Sequence, residues 1–151
     1  MNVFDEFSQI ISHLESHEVK YALVGGVAVA FYAEPRFTQD VDLLLDPTSL
    51  EEVRAILEAA GYFESATPWA FQGTALTLRR FVKVVEEELM IVDLLMAGDA
   101  AHLEIVRNAR EAQSASGMAR VARKSDIIWM KKQRNSLQDQ ADIERLEHED
   151  D

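Results

Sequence analysis

Two aspartates two residues apart, Asp40 and Asp42, have the type and spacing to do chemistry in this sequence. They lie in the apolar segment DVDLLLD, which predicts a β-strand. Side chains two apart on a strand point to the same face, with their Cα atoms about 6.6 Å apart. Two carboxylates at that separation can converge on one divalent cation, or on a pair of cations roughly 4 Å apart. The pair therefore predicts a metal site suited to phosphoryl chemistry.

Two glycines, Gly25 and Gly26, supply a second candidate feature. They follow the short apolar run Tyr21 to Val24, which predicts a strand, and precede small residues from Val27 to Ala33 that favour a closely packed helix. A helix that begins just after glycines directs free backbone N–H groups and its positive dipole end toward an anion. A phosphate site facing a metal-binding acid pair is the equipment for nucleotidyl transfer.

The order of these residues resembles the DNA polymerase beta-like nucleotidyltransferase superfamily, and within it the AbiEii-like branch. The signature of that branch is G-G, a following Arg, then T-x-D-x-D, and here it consists of Gly25, Gly26, Arg36, Thr38, Asp40 and Asp42. The resemblance implies that Arg36 contacts nucleotide phosphate and that Thr38 fixes the loop before the acids. Taken alone, either residue is also consistent with an ordinary loop position that faces solvent or caps a helix.

A third acid, Asp93, stands alone in the apolar segment LMIVDLLM. A carboxylate there must either reach water at a strand end or find a cation, because an unpaired buried charge is too costly to keep. The superfamily resemblance implies a third catalytic and metal-binding acid on a neighbouring strand, and Asp93 matches it.

The tail of the chain resembles the closing motif of the AbiEii-like group, in which a Lys and an Arg precede two acids. Lys131, Arg134, Asp139 and Asp142 occupy those places, although Lys132 and Gln133 replace the small residues of the motif. The resemblance implies that Lys131 and Arg134 bind nucleotide. The alternative for both is a solvated helix face.

Helical spacing predicts a first helix from Val3 that stops near His17 and covers the sheet. Thr48 or Ser49, followed three residues later by Glu51 or Glu52, predicts a capping-box start for a helix that ends near Gly61. The segment 62–74 is predicted to be a loop.

Alternation predicts an antiparallel hairpin of Leu76 to Val85 and Leu89 to Met96, joined by a turn of Glu86, Glu87 and Glu88. A helix after Asp99, a short strand from Met118 to Val121 and a helix capped by Ser125 complete the pattern.

These elements predict the α/β (α+β) class, with a small mixed, strongly twisted sheet flanked by helices. The resemblance implies a minimal nucleotidyltransferase fold. At 151 residues, the chain is expected to form a single domain, with C-terminal helices from about residue 125 packing on it. The site is expected at the ends of the acid-bearing strands.

Composition restricts the partners and the compartment. The net charge of −12 argues against coating nucleic acid through the whole surface. Cysteine is absent and no apolar run approaches the roughly 20 residues of a membrane span, so we expect a cytoplasmic protein without membrane partners. One local basic surface for RNA stays open as an alternative, formed by Arg79, Arg80 and Lys83 beside Arg120, Arg123, Lys124, Lys131, Lys132 and Arg134.

The resemblance implies Mg²⁺ (or Mn²⁺) as cofactor and a nucleoside triphosphate as substrate. A nucleoside monophosphate would pass to an acceptor hydroxyl on RNA or protein, as in the toxins of toxin–antitoxin pairs, or on a small molecule, as in antibiotic-modifying members. The competing hypothesis, from a different class of function, is a catalytically silent nucleotide-binding or partner-binding domain. The chain is short for a nucleotidyltransferase, so a homodimer or a partner protein is expected to complete the cleft.

Overall fold

The computed structural model describes residues 3–25, 40–65, 67–70, 76–114, 117–134 and 137–148. Within these ranges the chain forms five α-helices and eight β-strands. The helices are α1 (Val3–Ser16), α2 (Leu50–Ala59), α3 (Ala100–Arg107), α4 (Lys124–Arg134) and α5 (Leu137–His148). The strands are β1 (Tyr21–Val24), β2 (Asp40–Leu45), β3 (Phe63–Glu64), β4 (Trp69–Ala70), β5 (Leu76–Val85), β6 (Glu88–Ala97), β7 (Arg110–Ser114) and β8 (Gly117–Val121).

All of these strands join one mixed sheet, in the order β3, β5, β6, β2, β1, β8, β7, with β4 beside β3 on the same edge of β5. The pairs β2–β6 and β1–β8 are parallel, and the other pairs are antiparallel. The central strands β1, β2 and β6 carry nearly continuous apolar runs, as expected for strands covered on both faces. The predicted class, a small mixed sheet flanked by helices, is confirmed.

The helices divide between the two faces of the sheet. Helix α1 lies on the face that carries Phe81 and Lys83, where the buried carboxylate of Glu6 accepts hydrogen bonds from Lys83 Nζ and from the hydroxyl of Tyr62, both at 3.0–3.1 Å. Helix α2 packs against α1. Helix α4 lies on the opposite face, and α5 packs on α4. None of the helices in the described part of the chain is long and apolar enough to cross a membrane.

Helix α2 begins differently from the prediction. Ser49 precedes the helix but its side chain makes no capping hydrogen bond. Asp46 accepts instead from the backbone N–H and the hydroxyl of Thr48, at 3.0 and 2.9 Å, and starts a single 3-10 turn at Pro47–Ser49. The capping-box prediction is therefore wrong, because Pro47 allows an extra turn that moves the cap three residues upstream.

Three further predictions need correction. The predicted loop 62–74 contains β3 and β4, which are too short to show alternation, and its residues 66 and 71–75 lie outside the described ranges. Strand β7 is not among the predicted elements, because its sequence, REAQS, has no apolar face. Helix α4 begins before Ser125, and the carbonyl of Arg123 accepts from the N–H groups of Asp126 and Ile127.

The hairpin of β5 and β6 is confirmed, with a shorter turn than predicted. Glu86 and Glu87 alone form the turn, with φ of 50° and 69°, and Glu88 is already the first residue of β6, paired with Val85. Two successive residues in the left-handed region give a turn whose twist matches that of the flanking strands. This turn length fixes which residues of β5 and β6 face each other.

Candidate active site

The three predicted acids lie on one face of the sheet. Strands β2 and β6 run parallel with Asp42 directly beside Asp93, so their side chains point to the same side. Asp40 is two residues before Asp42 and shares that face. Asp40 is exposed, Asp42 is half-buried and Asp93 is only 4% exposed. The alternative for Asp93, an acid at a strand end facing water, is therefore excluded.

Gly25 provides the space for Asp42. Val24 pairs with Asp42, and Gly25 follows it with φ of +71°, in the left-handed region that favours glycine. A β-carbon added at position 25 would lie 1.9 Å from Asp42 Oδ2, far inside van der Waals contact. Glycine is therefore required here both by the backbone conformation and by the carboxylate that lies against it.

Asp93 is held by Arg80 of the neighbouring strand β5, and the two residues are directly paired in the ladder. Arg80 Nε donates to Asp93 Oδ1 at 2.8 Å and Nη2 donates to Oδ2 at 2.9 Å, so the two side chains form a bidentate ion pair. The hydrogen bonds to Asp93 raise the pKa of the Arg80 guanidinium, and the charges of Asp40 and Asp42 raise it further. The Arg80 guanidinium therefore interacts electrostatically with the carboxylates of all three acids.

The acids lie between a buried part and an exposed part of this sheet face. Leu44 and Leu95, two residues further along β2 and β6, are buried on the same face near α4. In the other direction, Val84 and Leu89 form a directly opposed pair that is 67% and 45% exposed. Val82, between Arg80 and Val84 on this face, is still buried, so the exposed Asp40 and the half-buried Asp42 are more accessible to a ligand than Asp93.

Lys131 reaches this site from α4. It is only 6% exposed, and it lines one small cavity together with Asp42, Gly25, Val24 and the apolar side chains of Leu76, Leu95, Ile127 and Met130. The next residue, Lys132, is exposed. The alternative of a solvated helix face is therefore wrong for Lys131.

Several predicted site residues lie outside what the structure describes. Gly26, Arg36 and Thr38 fall in the undescribed range 26–39. Arg134 closes α4, and Asp139 and Asp142 lie on α5, but nothing is described for their side chains. Their roles stay predictions.

The cations predicted to form one basic surface for RNA do not all share a face within the described part of the chain. Arg79 and Lys83 lie on the opposite face of β5 from Arg80, where they bind Glu64 and Glu6. Arg120 donates to the carbonyls of Tyr21 and Val106. These cations bind carboxylates and backbone carbonyls of the same chain. Such partners cannot be read from the sequence.

The acids suit a divalent cation by their chemistry, since Mg²⁺ and Mn²⁺ prefer carboxylate oxygens. The guanidinium of Arg80 already forms an ion pair with Asp93, so a positive charge is favourable at this place. In the arrangement described, however, no three His, Asp or Glu side chains in the described ranges converge as metal ligands. Both oxygens of Asp93 accept from Arg80, which leaves Asp40 and Asp42 as the first pair to hold a metal.

Sequence comparison identified no matching family and no matching curated protein. Solved structures are nevertheless similar in fold. A Thermotoga maritima protein described as a nucleotidyltransferase is 10% identical over 95% of this chain and 91% of its own, with a TM-score of 0.65. The lincosamide antibiotic adenylyltransferase LnuA, solved with lincomycin bound, is 18% identical over 95% of this chain and 94% of its own, with a TM-score of 0.63.

A third similar structure is ANT(2″)-Ia, an antibiotic-resistance factor. Its solution structure is 16% identical over 97% of this chain and 81% of its own, with a TM-score of 0.58. At these identities the likeness concerns the fold alone. The chain has the fold of the nucleotidyltransferases, as the sequence predicted.

Proposed function

We propose that this protein is a nucleotidyltransferase that moves a nucleoside monophosphate from a nucleoside triphosphate to an acceptor hydroxyl. The observation that carries the proposal is the placement of Asp42 beside Asp93, with Asp40 on the same face and Gly25 against Asp42. Three carboxylates in neighbouring positions repel one another, and the Arg80 guanidinium that pairs with Asp93 brings a single positive charge, so the cluster favours a further cation.

In this proposal, Asp40 and Asp42 hold Mg²⁺ or Mn²⁺, and Asp93 either completes the carboxylate set or accepts the proton of the hydroxyl. When bound, the metal offsets the negative charge of the triphosphate and of the departing pyrophosphate. The acceptor oxygen attacks the α-phosphorus in line, and the bond from that phosphorus to pyrophosphate breaks. Buried Lys131 binds phosphate oxygens, together with Gly25, Gly26, Arg36, Thr38 and Arg134.

A small hydroxyl-bearing molecule is the acceptor that we favour. Three of the cations expected to form an RNA surface, Arg79, Arg80 and Lys83, are divided between two faces of β5 and paired with acids of the chain, and the net charge is −12. LnuA and ANT(2″)-Ia, solved with lincomycin and with adenylyl-2″-tobramycin, lend support from similar folds. ATP is the first triphosphate to test, since both names indicate adenylyl transfer.

The finer assignments rest on the sequence alone. An AbiEii-like toxin with an antitoxin partner, a cytoplasmic location and a homodimer or partner that completes the cleft remain predictions. The deciding experiment incubates the protein and Mg²⁺ with each labelled triphosphate and with separate cell fractions of RNA, protein and small molecules. We expect label in the small-molecule fraction, and label in RNA alone would overturn the acceptor class.

One observation favours the second candidate, a catalytically silent binding domain of the same fold. Asp93 is already neutralised by Arg80, so that acid needs no metal for its own stability. In this case no fraction would be labelled with any triphosphate. A partner protein would then raise the thermal midpoint when Mg²⁺ and nucleotide do not.

A further inference from the structure

The ion pair between Arg80 and Asp93 is asymmetric. The Asp93 side chain is 5% exposed, whereas that of Arg80 is 36% exposed. Asp93 is fixed within the central strand β6, while Arg80 reaches it from β5 with a long side chain that borders solvent. The guanidinium can therefore leave into water, but the carboxylate cannot follow it.

Opening of this pair without a replacement is unfavourable. It would leave the Asp93 carboxylate buried without a countercharge, and Asp42 in the adjacent position adds repulsion. A divalent cation held by Asp40 and Asp42 changes this balance, because it attracts Asp93 and repels the guanidinium beside it. Departure of Arg80 is thereby coupled to arrival of the metal.

We infer that Arg80 is the resident counter-cation of the acids and that a divalent metal competes with it for Asp93. The inference rests on the proposed function, since it takes the acids to be the metal site. Arg80 is then a positioning residue that keeps Asp93 ordered and buried in the metal-free protein. The charge it adds lowers the affinity of the site for the metal.

The competing explanation is that Arg80 holds Asp93 in place as a permanent structural partner. The two explanations predict opposite signs for one measurement. If Arg80 only orients Asp93, its removal disorders a ligand and weakens metal binding. If Arg80 competes, its removal strengthens metal binding.

The test titrates Mn²⁺ alone, without nucleotide, into wild type, Arg80→Gln, Arg80→Lys and Arg79→Gln, followed by calorimetry. Arg79 is a matched control, because it is the preceding residue on β5 and pairs with a carboxylate, Glu64, on the opposite face. We expect Arg80→Gln to bind Mn²⁺ about tenfold more tightly than wild type. Arg80→Lys should fall between them, and Arg79→Gln should match wild type.

Thermal unfolding keeps the test decisive if Arg80→Gln is only marginally folded. Without metal its midpoint should lie below that of wild type, and Mn²⁺ should raise it by more than it raises wild type. If Arg80→Gln binds Mn²⁺ no more tightly than wild type does, this inference is overturned. The proposed function still stands in that case, provided that Asp42→Asn removes the Mn²⁺ binding of the wild type. Absence of Mn²⁺ binding in wild type and Arg80→Gln alike would overturn both.

Discussion

Gly25 leaves no room for a side chain, because the carboxylate of Asp42 occupies the place that its β-carbon would take. Any β-carbon at position 25 would lie 1.9 Å from Asp42 Oδ2. The glycine that follows β1 and the acid on β2 are therefore one structural unit, although they are 17 positions apart in the sequence. A larger residue at position 25 must displace the carboxylate.

The first prediction follows from this contact. Gly25→Ala should lower the free energy of unfolding by about 1–2 kcal/mol or more, for the left-handed backbone and the clash, and should abolish stabilisation by metal and nucleotide. Gly61→Ala is the matched control. Gly61 also has positive φ, at 97°, but its β-carbon would meet only the flexible end of Lys83 at 3.3 Å.

Denaturant unfolding with and without Mg²⁺ and ATP measures both quantities. Gly61→Ala should lose stability while its response to the ligands stays that of wild type. An unchanged ligand response in Gly25→Ala would show that the position of Asp42 is unimportant for binding.

The second prediction concerns Lys131. Removal of its charge in Lys131→Met should weaken ATP binding at least about fivefold, because a unit charge within about 4 Å of phosphate contributes roughly 1 kcal/mol even in water. Lys132→Met, one residue along α4 and exposed, should bind ATP as wild type does. Calorimetric titration with ATP and Mg²⁺ compares them, and equal affinities in all three proteins would remove Lys131 from the nucleotide site.

The third prediction is a pH dependence at the start of α2. Hydrogen bonds from the backbone and the hydroxyl of Thr48 lower the pKa of Asp46. A lowered folded-state pKa gives stability that is present above the unfolded pKa of the carboxyl and is lost as pH falls through the folded pKa. Asp46→Ala should lower the free energy of unfolding by about 1 kcal/mol at neutral pH.

Asp46→Asn keeps an acceptor oxygen but does not titrate, so it isolates the contribution of the charge. The stability difference between wild type and Asp46→Asn should shrink as the solution is acidified. A difference that stays constant down to acidic pH would show that the carboxylate charge contributes nothing to this cap.

The sequence predicted the strands that carry the acids, because an acid is conspicuous in an apolar run and the spacing of Asp40 and Asp42 fixes their common face. It did not predict the partner of Asp93. With a turn of three glutamates, Val85 would pair with Leu89, and Asp93 would then face Phe81. The observed two-residue turn shifts the register by one and brings Arg80 opposite Asp93.

Such a shift cannot be read from three consecutive glutamates, since none of them signals left-handed backbone. The basic surface failed for a related reason. Clustering in sequence does not tell which face of a strand a cation occupies or which buried acid it meets, as Lys83 and Glu6 show. The position of Lys131 depended on how α4 packs on the sheet, and helix patterning alone left open whether its side chain faces the sheet or solvent.

The most direct test of the central claim, that the acids form a metal and nucleotide site, is thermal unfolding with and without Mg²⁺ and ATP. Ligands that bind only the folded state raise the midpoint, and the increase grows with the ratio of ligand concentration to Kd. We predict a higher midpoint for wild type with both ligands and none of the metal-dependent increase for Asp40→Asn or Asp42→Asn. An identical midpoint for wild type with and without the ligands, across all four nucleoside triphosphates, would contradict the account.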